Sequence, residues 1–222
     1  MKIERIESRD HYVKTQIDRS NSKFHFCKVS AWDVKNYHAV IGDTDNPILC
    51  LGTRNGREID LFRNEFFLPR LFSTAIRFLE INNYSFKSTF PLLEVFFRSN
   101  VNHISGQGSI GVEINPKAER QDVWIGSFDE MPSHWENLFG VVYSNSFDQS
   151  QDPYRTAREW LRVIRPGGFL IFCFTDSPPT KSDPVGNITI EDALKLFPGD
   201  LVYSSNCGSK NGYSEAIIKI KK

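Results

Sequence analysis

The sequence predicts an α/β protein: a doubly wound, mostly parallel seven-stranded sheet that ends in an antiparallel hairpin and carries a helical, phenylalanine-rich insert. Three observations support this. Seven short apolar runs of strand length punctuate the chain, and the earlier ones alternate with segments of helical spacing. Their apolar residues run nearly continuously instead of alternating, which is the mark of strands covered on both faces. Finally, 222 residues, 40% of them hydrophobic, are enough to bury one large core.

Residues 1–46 precede the first strand and contain "HYVKTQIDR", which reads as a helix in an N-terminal helical cap. The first strand is "PILCL" (47–51), and it runs into the glycine-bearing turn "CLGTRNGREI". Residues 60–105 form an aromatic insert where one crossover helix would suffice. Nine of the chain's 18 phenylalanines fall within 61–100, which suits an extra core layer, a homodimer face or a lid. The strands "SIGVEI" (109–114), "DVWIG" (122–126) and "GVVYS" (140–144) follow. Asp152 and Pro153 are a natural N-cap and first-turn pair, and Tyr154, Ala157, Trp160, Leu161 and Ile164 continue from them at helical spacing. "RPGG" stops that helix and feeds "GFLIFCF" (168–174), after which "DLVYSS" (200–205) and "EAIIKI" (215–220) make the closing hairpin.

Composition narrows the function. Lys plus Arg and Asp plus Glu number 27 each, so nonspecific grip on nucleic acid or an anionic membrane is not expected. No apolar stretch approaches the roughly 18 residues of a membrane span, and the charged start "MKIERIESRD" has no signal-peptide apolar region. The four cysteines are widely spaced without C-x-x-C and read as reduced thiols of a cytoplasmic protein.

The glycine turn follows a strand and opens a helix, so its backbone N–H groups and the helix N-terminus face whatever lies above the sheet. Its spacing is G-x-x-x-G, which matches neither the dinucleotide fingerprint nor a G-K-[ST] phosphate loop, so alone it is equally a tight structural turn. Glu113 ends the next strand, where a carboxylate can accept both hydroxyls of a ribose. "WIGSFDEMP" and "VVYSNSFDQ" close the following two strands, and ligands bind at such carboxyl ends.

In order and spacing, "ILCLGTRNGREI", "GVEINP", "GSFDEMP" and "FGVVYSNSFDQSQDPYRTAREWLRVIRPGG" resemble the motifs of class I S-adenosylmethionine-dependent methyltransferases over about residues 47–175. Within that family the sequence is similar to small members reading L-G-x-R-x-G, several of them associated with sugar or polysaccharide modification. The resemblance implies a Rossmann-like methyltransferase fold and S-adenosylmethionine as cofactor. It places Leu51, Gly52, Thr53, Arg54 and Gly56 around the methionine moiety, Glu113 and Ile114 at the ribose, Ser127 and Phe128 at the adenine, and Ser144 and Asn145 at the fourth-strand end. The family usually carries an acidic residue where this chain has Ser127, and relatives often have histidine where it has Gln149.

The expected reaction is methyl transfer to a hydroxyl of a small acceptor, a sugar or glycan terminus. Asp148 is the first candidate for general base or metal ligand, although an aspartate there also suits a loop cap. His134 is the leading histidine candidate, and His11 falls in a helix that could fold over the cofactor. Asn145 and Gln149 are candidate acceptor contacts. A divalent metal would use carboxylates such as Asp148 and Asp176, but no compact ligand cluster supports one. Two alternatives remain open: an RNA or protein methyltransferase, for which Lys14, Arg19, Lys23 and Lys28 are the basic support, and a non-catalytic methyltransferase-like domain that binds a partner through the insert.

Overall fold

A computed structural model describes residues 1–6, 8–67, 108–207 and 213–222. The described strands are β1 (Lys2–Ile3), β2 (Ile48–Leu51), β3 (Ser109–Glu113), β4 (Val123–Ile125), β5 (Phe139–Ser144), β6 (Ile164–Thr175), β7 (Val185–Gly186), β8 (Gly199–Cys207) and β9 (Tyr213–Ile220). The described helices are α1 (Arg9–Ser22), α2 (Ala31–Ile41), α3 (Arg57–Phe66), α4 (Pro153–Val163) and α5 (Ile190–Leu196).

Seven strands form one sheet in the order β4-β3-β2-β5-β6-β9-β8. The first five are parallel, with Cys50 of β2 in register with Gly111 of β3 and Tyr143 of β5. β9 runs antiparallel to both β6 and β8, which closes the sheet as a hairpin. The strand order reverses between β2 and β5, which opens a crevice above their carboxyl ends, the place where ligands bind in doubly wound sheets.

Alternate residues of the parallel strands supply the two cores. Leu49, Leu51, Val142, Leu170 and Phe172 pack with Trp160 of α4 and Phe197 beyond α5. Ile48, Cys50, Val141, Tyr143 and Ile171 pack on the other face against Val34 and Tyr37 of α2 and Ile59 and Phe62 of α3. Trp160 sits edge to face with Phe147 and stacks on Phe197, so α4 and α5 lock onto the turn after β5. Caps fix the helix starts. Asp152 accepts from the N–H groups of Tyr154 and Arg155, while Ser30 with Asp33 and Thr189 with Asp192 form capping boxes.

Some expected boundaries move. β6 begins at Ile164, because α4 stops before Arg165, the residue preceding Pro166. The stretch "RPGG" then bulges out of the β5–β6 register with Gly167 at φ +73°. β1 and β7 form a small antiparallel sheet absent from the expectations, and two residues per strand are too few to leave a sequence signal. Residues 60–66 of the expected insert belong to the crossover helix α3, whose Phe62 and Phe66 are core. The proposed homodimer face, and the choice between core layer and lid, fall on residues 68–107, outside those described. Among the described residues no helix is long and apolar enough to cross a membrane.

Candidate active site

Above the β2–β5 crevice lies a cavity of about 70 Å3. Its floor is the ends of β2 and β3: Gly52, Arg54, Val112, Glu113 and Ile114. One wall is Gly126 to Asp129, the opposite one Ser146, Gln149 and Gln151, and the roof is α1.

Gly52 has φ +75°, and a Cβ there would stand 2.5 Å from Ser146 Oγ, so only glycine lets the turns after β2 and β5 meet. Arg54 is left-handed at φ +49°, an uncommon state for a side-chain-bearing residue. That twist aims its backbone N–H at Glu113 Oε2, 2.8 Å away, while Asn115 N–H reaches Oε1 at 3.1 Å. Burial raises the Glu113 carboxyl, and these amides pull it back down. Each carboxylate oxygen accepts up to two hydrogen bonds, so both retain capacity for a ligand's hydroxyls. The Arg54 guanidinium lies over the Phe26 ring, 5.2 Å from its centroid.

Gly56 does different work from the one expected of it. A Cβ on it would meet Arg120 Nη1 at 2.6 Å. Arg120 bonds Asn55 O, Asp60 and Asp122, and Arg63 joins Asp122 at 2.6 Å, which ties α3 to β3 and β4. Burial alone would raise the Asp122 carboxyl; the two guanidiniums outweigh it and hold it below its usual range. Gly56 is therefore a packing glycine, and it does not line the cavity.

Leu51 and Thr53 also point away, into the protein: Leu51 belongs to the core under α4, and Thr53 is packed beside Gly111. Ser144 turns its hydroxyl to Ser146 N–H, and Asn145 accepts from Ser146 Oγ, so both shape the turn and neither is on the cavity surface. Ser127 and Phe128 do line it, but the Ser127 hydroxyl accepts from Asp129 N–H at 3.2 Å.

His134 is a correction. It lies exposed on the short 3-10 turn Ser133–Trp135, against the Trp135 ring and away from the cavity residues. His11 points outward from α1, and His38 is held between Glu65 and Asp43. Asp148 sits in the 3-10 turn after β5, 6% exposed and beside the cavity wall. Burial first, then the neighbouring Asp183, push its carboxyl up to about 7 against the pull of Arg19 and Lys28. Its Oδ1 accepts no hydrogen bond among the described residues. Asp176 is exposed, and no group of three or more potential metal ligands gathers among the described residues.

What the sequence concealed of the roof is which face of α1 turns inward. Tyr12, Gln16 and Ser20, spaced four apart on α1, are buried and polar. Tyr12 donates to Gln149 O at 2.6 Å, Gln16 donates to Ser182 O at 2.5 Å, and Arg19 pairs with Asp183. Asn115 holds the other end of the helix through Ser20 and Asn21. The four-residue spacing was the available signal, but a polar stripe usually reads as a solvated face.

No protein-family description matches the sequence, and neither does any curated protein. Solved structures do. One is the Burkholderia thailandensis 1,6-didemethyltoxoflavin-N1-methyltransferase with bound 1,6-didemethyltoxoflavin and S-adenosylhomocysteine. Its TM-score is 0.61 at 12% identity, over 98% of this chain and 92% of that one. The chain has the class I methyltransferase fold. A Thermotoga maritima S-adenosylmethionine-dependent methyltransferase shares this methyltransferase fold at TM-score 0.50 and 10% identity, over 95% and 99% of the two chains. So does the cyclase SpnF, at 0.55 and 10%, over 99% and 98%. One fold thus carries different chemistries, and the reaction has to be argued from the residues.

Proposed function

We propose that the protein is an S-adenosylmethionine-dependent O-methyltransferase acting on a hydroxyl of a small acceptor, a sugar or glycan terminus. The residues fit the cofactor. The Gly52–Ser146 contact makes a cradle that any side chain would fill, and Glu113 retains acceptor capacity beside it. When bound, the cofactor supplies an electrophilic methyl group.

The observation that carries the acceptor class is Asp148. A hydroxyl acceptor must lose its proton, and a base works best with a pKa near the working pH. Asp148 is held at about 7 with one oxygen unpartnered, at the end of the central strand β5. Gln149, Gln151 and Ser146 give the adjoining wall the amide and hydroxyl groups that suit a polyhydroxylated ligand. The cavity is small beside the 300–1,000 Å3 or so of typical ligand sites, so α1 moves outward to admit ligands and expose Asp148 to the acceptor.

The basic residues that would favour an RNA substrate do not form a surface patch. Arg19 is paired with Asp183 and the Lys28 amine is buried, which leaves Lys14 and Lys23. Thermal unfolding with and without S-adenosylhomocysteine tests the cofactor half. At a hundred times its dissociation constant the ligand adds about 2.7 kcal/mol, a rise of roughly 5–10 °C. Transfer of labelled methyl from the cofactor to a panel of sugar acceptors tests the rest. Cofactor binding with no sugar hydroxyl methylated would overturn the acceptor reading.

A further inference from the structure

We propose that Gln16 makes the enzyme selective for diols: its side-chain oxygen accepts a hydrogen bond from the hydroxyl neighbouring the one that is methylated. The inference rests on the O-methyltransferase reading above and adds to it. A base alone does not choose an acceptor, because it takes the proton of any hydroxyl within reach.

Gln16 lines the cavity from the roof helix α1 and is only 6% exposed. Its Nε2 donates to Ser182 O at 2.5 Å, and this settles the orientation of the amide, because a flip would set two oxygens against each other. Oε1 is then the end left for the cavity, and it accepts no hydrogen bond among the described residues. A buried acceptor without a donor is costly, and a ligand hydroxyl supplies the donor.

Tyr12 places this oxygen on the Asp148 side of the cavity. Its hydroxyl donates to Gln149 O at 2.6 Å and stands 3.5 Å from Ser182 O. The carbonyl that holds Gln16 is therefore close to the residue following Asp148. After burial, Asp183, next in the chain to Ser182, acts most strongly on the Asp148 carboxyl. Once α1 admits a ligand, this side offers two oxygens that each want a hydroxyl proton, Asp148 Oδ1 and Gln16 Oε1. Adjacent hydroxyls of a sugar ring supply both. A methylene or an ether oxygen in the second position would leave Oε1 unpaired, and sites built on such polar matches reject the analogue that lacks the hydroxyl. Because Gln16 travels with α1, the contact forms as the roof closes over the acceptor.

The experiment is transfer of labelled methyl by the full chain to the methyl glycosides of glucose, galactose and mannose and to their monodeoxy derivatives. For a glycoside that is methylated, loss of the neighbouring hydroxyl should lower kcat/KM about 10- to 100-fold. Gln16→Leu should bring that ratio to within about threefold of one, by slowing the parent glycoside and sparing its deoxy derivative. Gln16→Met serves the same purpose if Gln16→Leu does not fold, and Gln16→Glu, which keeps an acceptor oxygen, should keep the preference. Tyr12→Phe loosens the same roof without touching Oε1, so it should slow parent and derivative alike and preserve the ratio. Calorimetric titration of Gln16→Leu with S-adenosylhomocysteine should give a Kd within about threefold of wild type. A methylated glycoside whose monodeoxy derivatives all react as fast overturns the inference. So does a folded Gln16→Leu that keeps the wild-type ratio, or one that loses cofactor affinity instead; in each case the O-methyltransferase reading stands. If no glycoside is methylated, that reading and this inference fall together.

Discussion

The backbone N–H of Arg54 donates to Oε2 of Glu113 at 2.8 Å, so the glycine turn and the end of the neighbouring strand are one unit. Arg54 adopts its left-handed conformation to make this bond, and Asn115 N–H holds the other carboxylate oxygen. Glu113→Ala leaves both amides without their acceptor. Each lost partner costs on the order of 1–3 kcal/mol. Urea unfolding should show a loss in that range, and the thermal shift with S-adenosylhomocysteine should vanish. Glu113→Gln keeps one acceptor oxygen and should lose less stability. A Glu113→Ala protein of unchanged stability would mean that the turn holds its shape without the carboxylate.

Asp148 gives a signed pH prediction. Its folded pKa of about 7 lies above the ordinary 3.8. Between those values the native state holds a proton that the unfolded chain has released, so this contribution to stability is full below about pH 4 and is lost as pH rises through 7. Asp148→Asn should flatten that limb and be more stable than wild type at pH 8. Buried Glu58, also raised to about 7 by desolvation, keeps a residual slope of the same sign. For catalysis the dependence is the opposite: methyl transfer should climb with pH to a plateau above 7 and fall about 10²- to 10⁴-fold in Asp148→Asn. An Asn variant with wild-type rate and pH profile would remove Asp148 as base.

Gly52→Ala should be damaging twice over, through a positive φ that L residues avoid and through contact with Ser146 Oγ. A loss of roughly 1–3 kcal/mol and of cofactor binding is expected. Adding Ser146→Ala removes the nearest atom but leaves its Cβ 2.9 Å away, so the double variant should recover only part of the stability. Full recovery would show that the φ costs nothing.

The sheet was legible because its strands are apolar on both faces and most of them alternate with helical segments along the chain. "PILCL", "GVVYS" and "EAIIKI" became β2, β5 and β9 with small shifts at the ends. The site was only partly legible. Gly52, Arg54, Glu113, Ile114, Ser127, Phe128 and Gln149 line the cavity, as their places at strand ends predict. Leu51, Thr53, Ser144 and Asn145 neighbour them in sequence, but the strand pleat turns Leu51 into the core, Thr53 is buried against Gly111, and bonds with Ser146 hold Ser144 and Asn145. Gly56 follows the motif spacing, yet its bare backbone accommodates Arg120, 64 residues along the chain, which no local pattern reveals. The α1 face was missed for a related reason: its contacts depend on Gln149, Ser182 and Asp183, distant partners brought close only by the fold.

The α1 roof supports the last prediction. Its inward face is mostly polar, so little apolar burial holds it; what fixes it is Tyr12 on Gln149 O, Gln16 on Ser182 O, the Arg19–Asp183 pair and Asn115 on Ser20 and Asn21. Each hydrogen bond contributes about 0.5–1.5 kcal/mol net. Tyr12→Phe together with Gln16→Ala removes two of them and leaves two carbonyls wanting donors, while the Trp160 and Phe147 core stays untouched. Global stability should therefore fall little, because α1 opens as a local unit. Hydrogen exchange should quicken across residues 9–22, and S-adenosylhomocysteine should associate and dissociate faster in stopped-flow measurements. Faster exchange with unchanged ligand kinetics would show that ligands reach the cavity by a route other than α1.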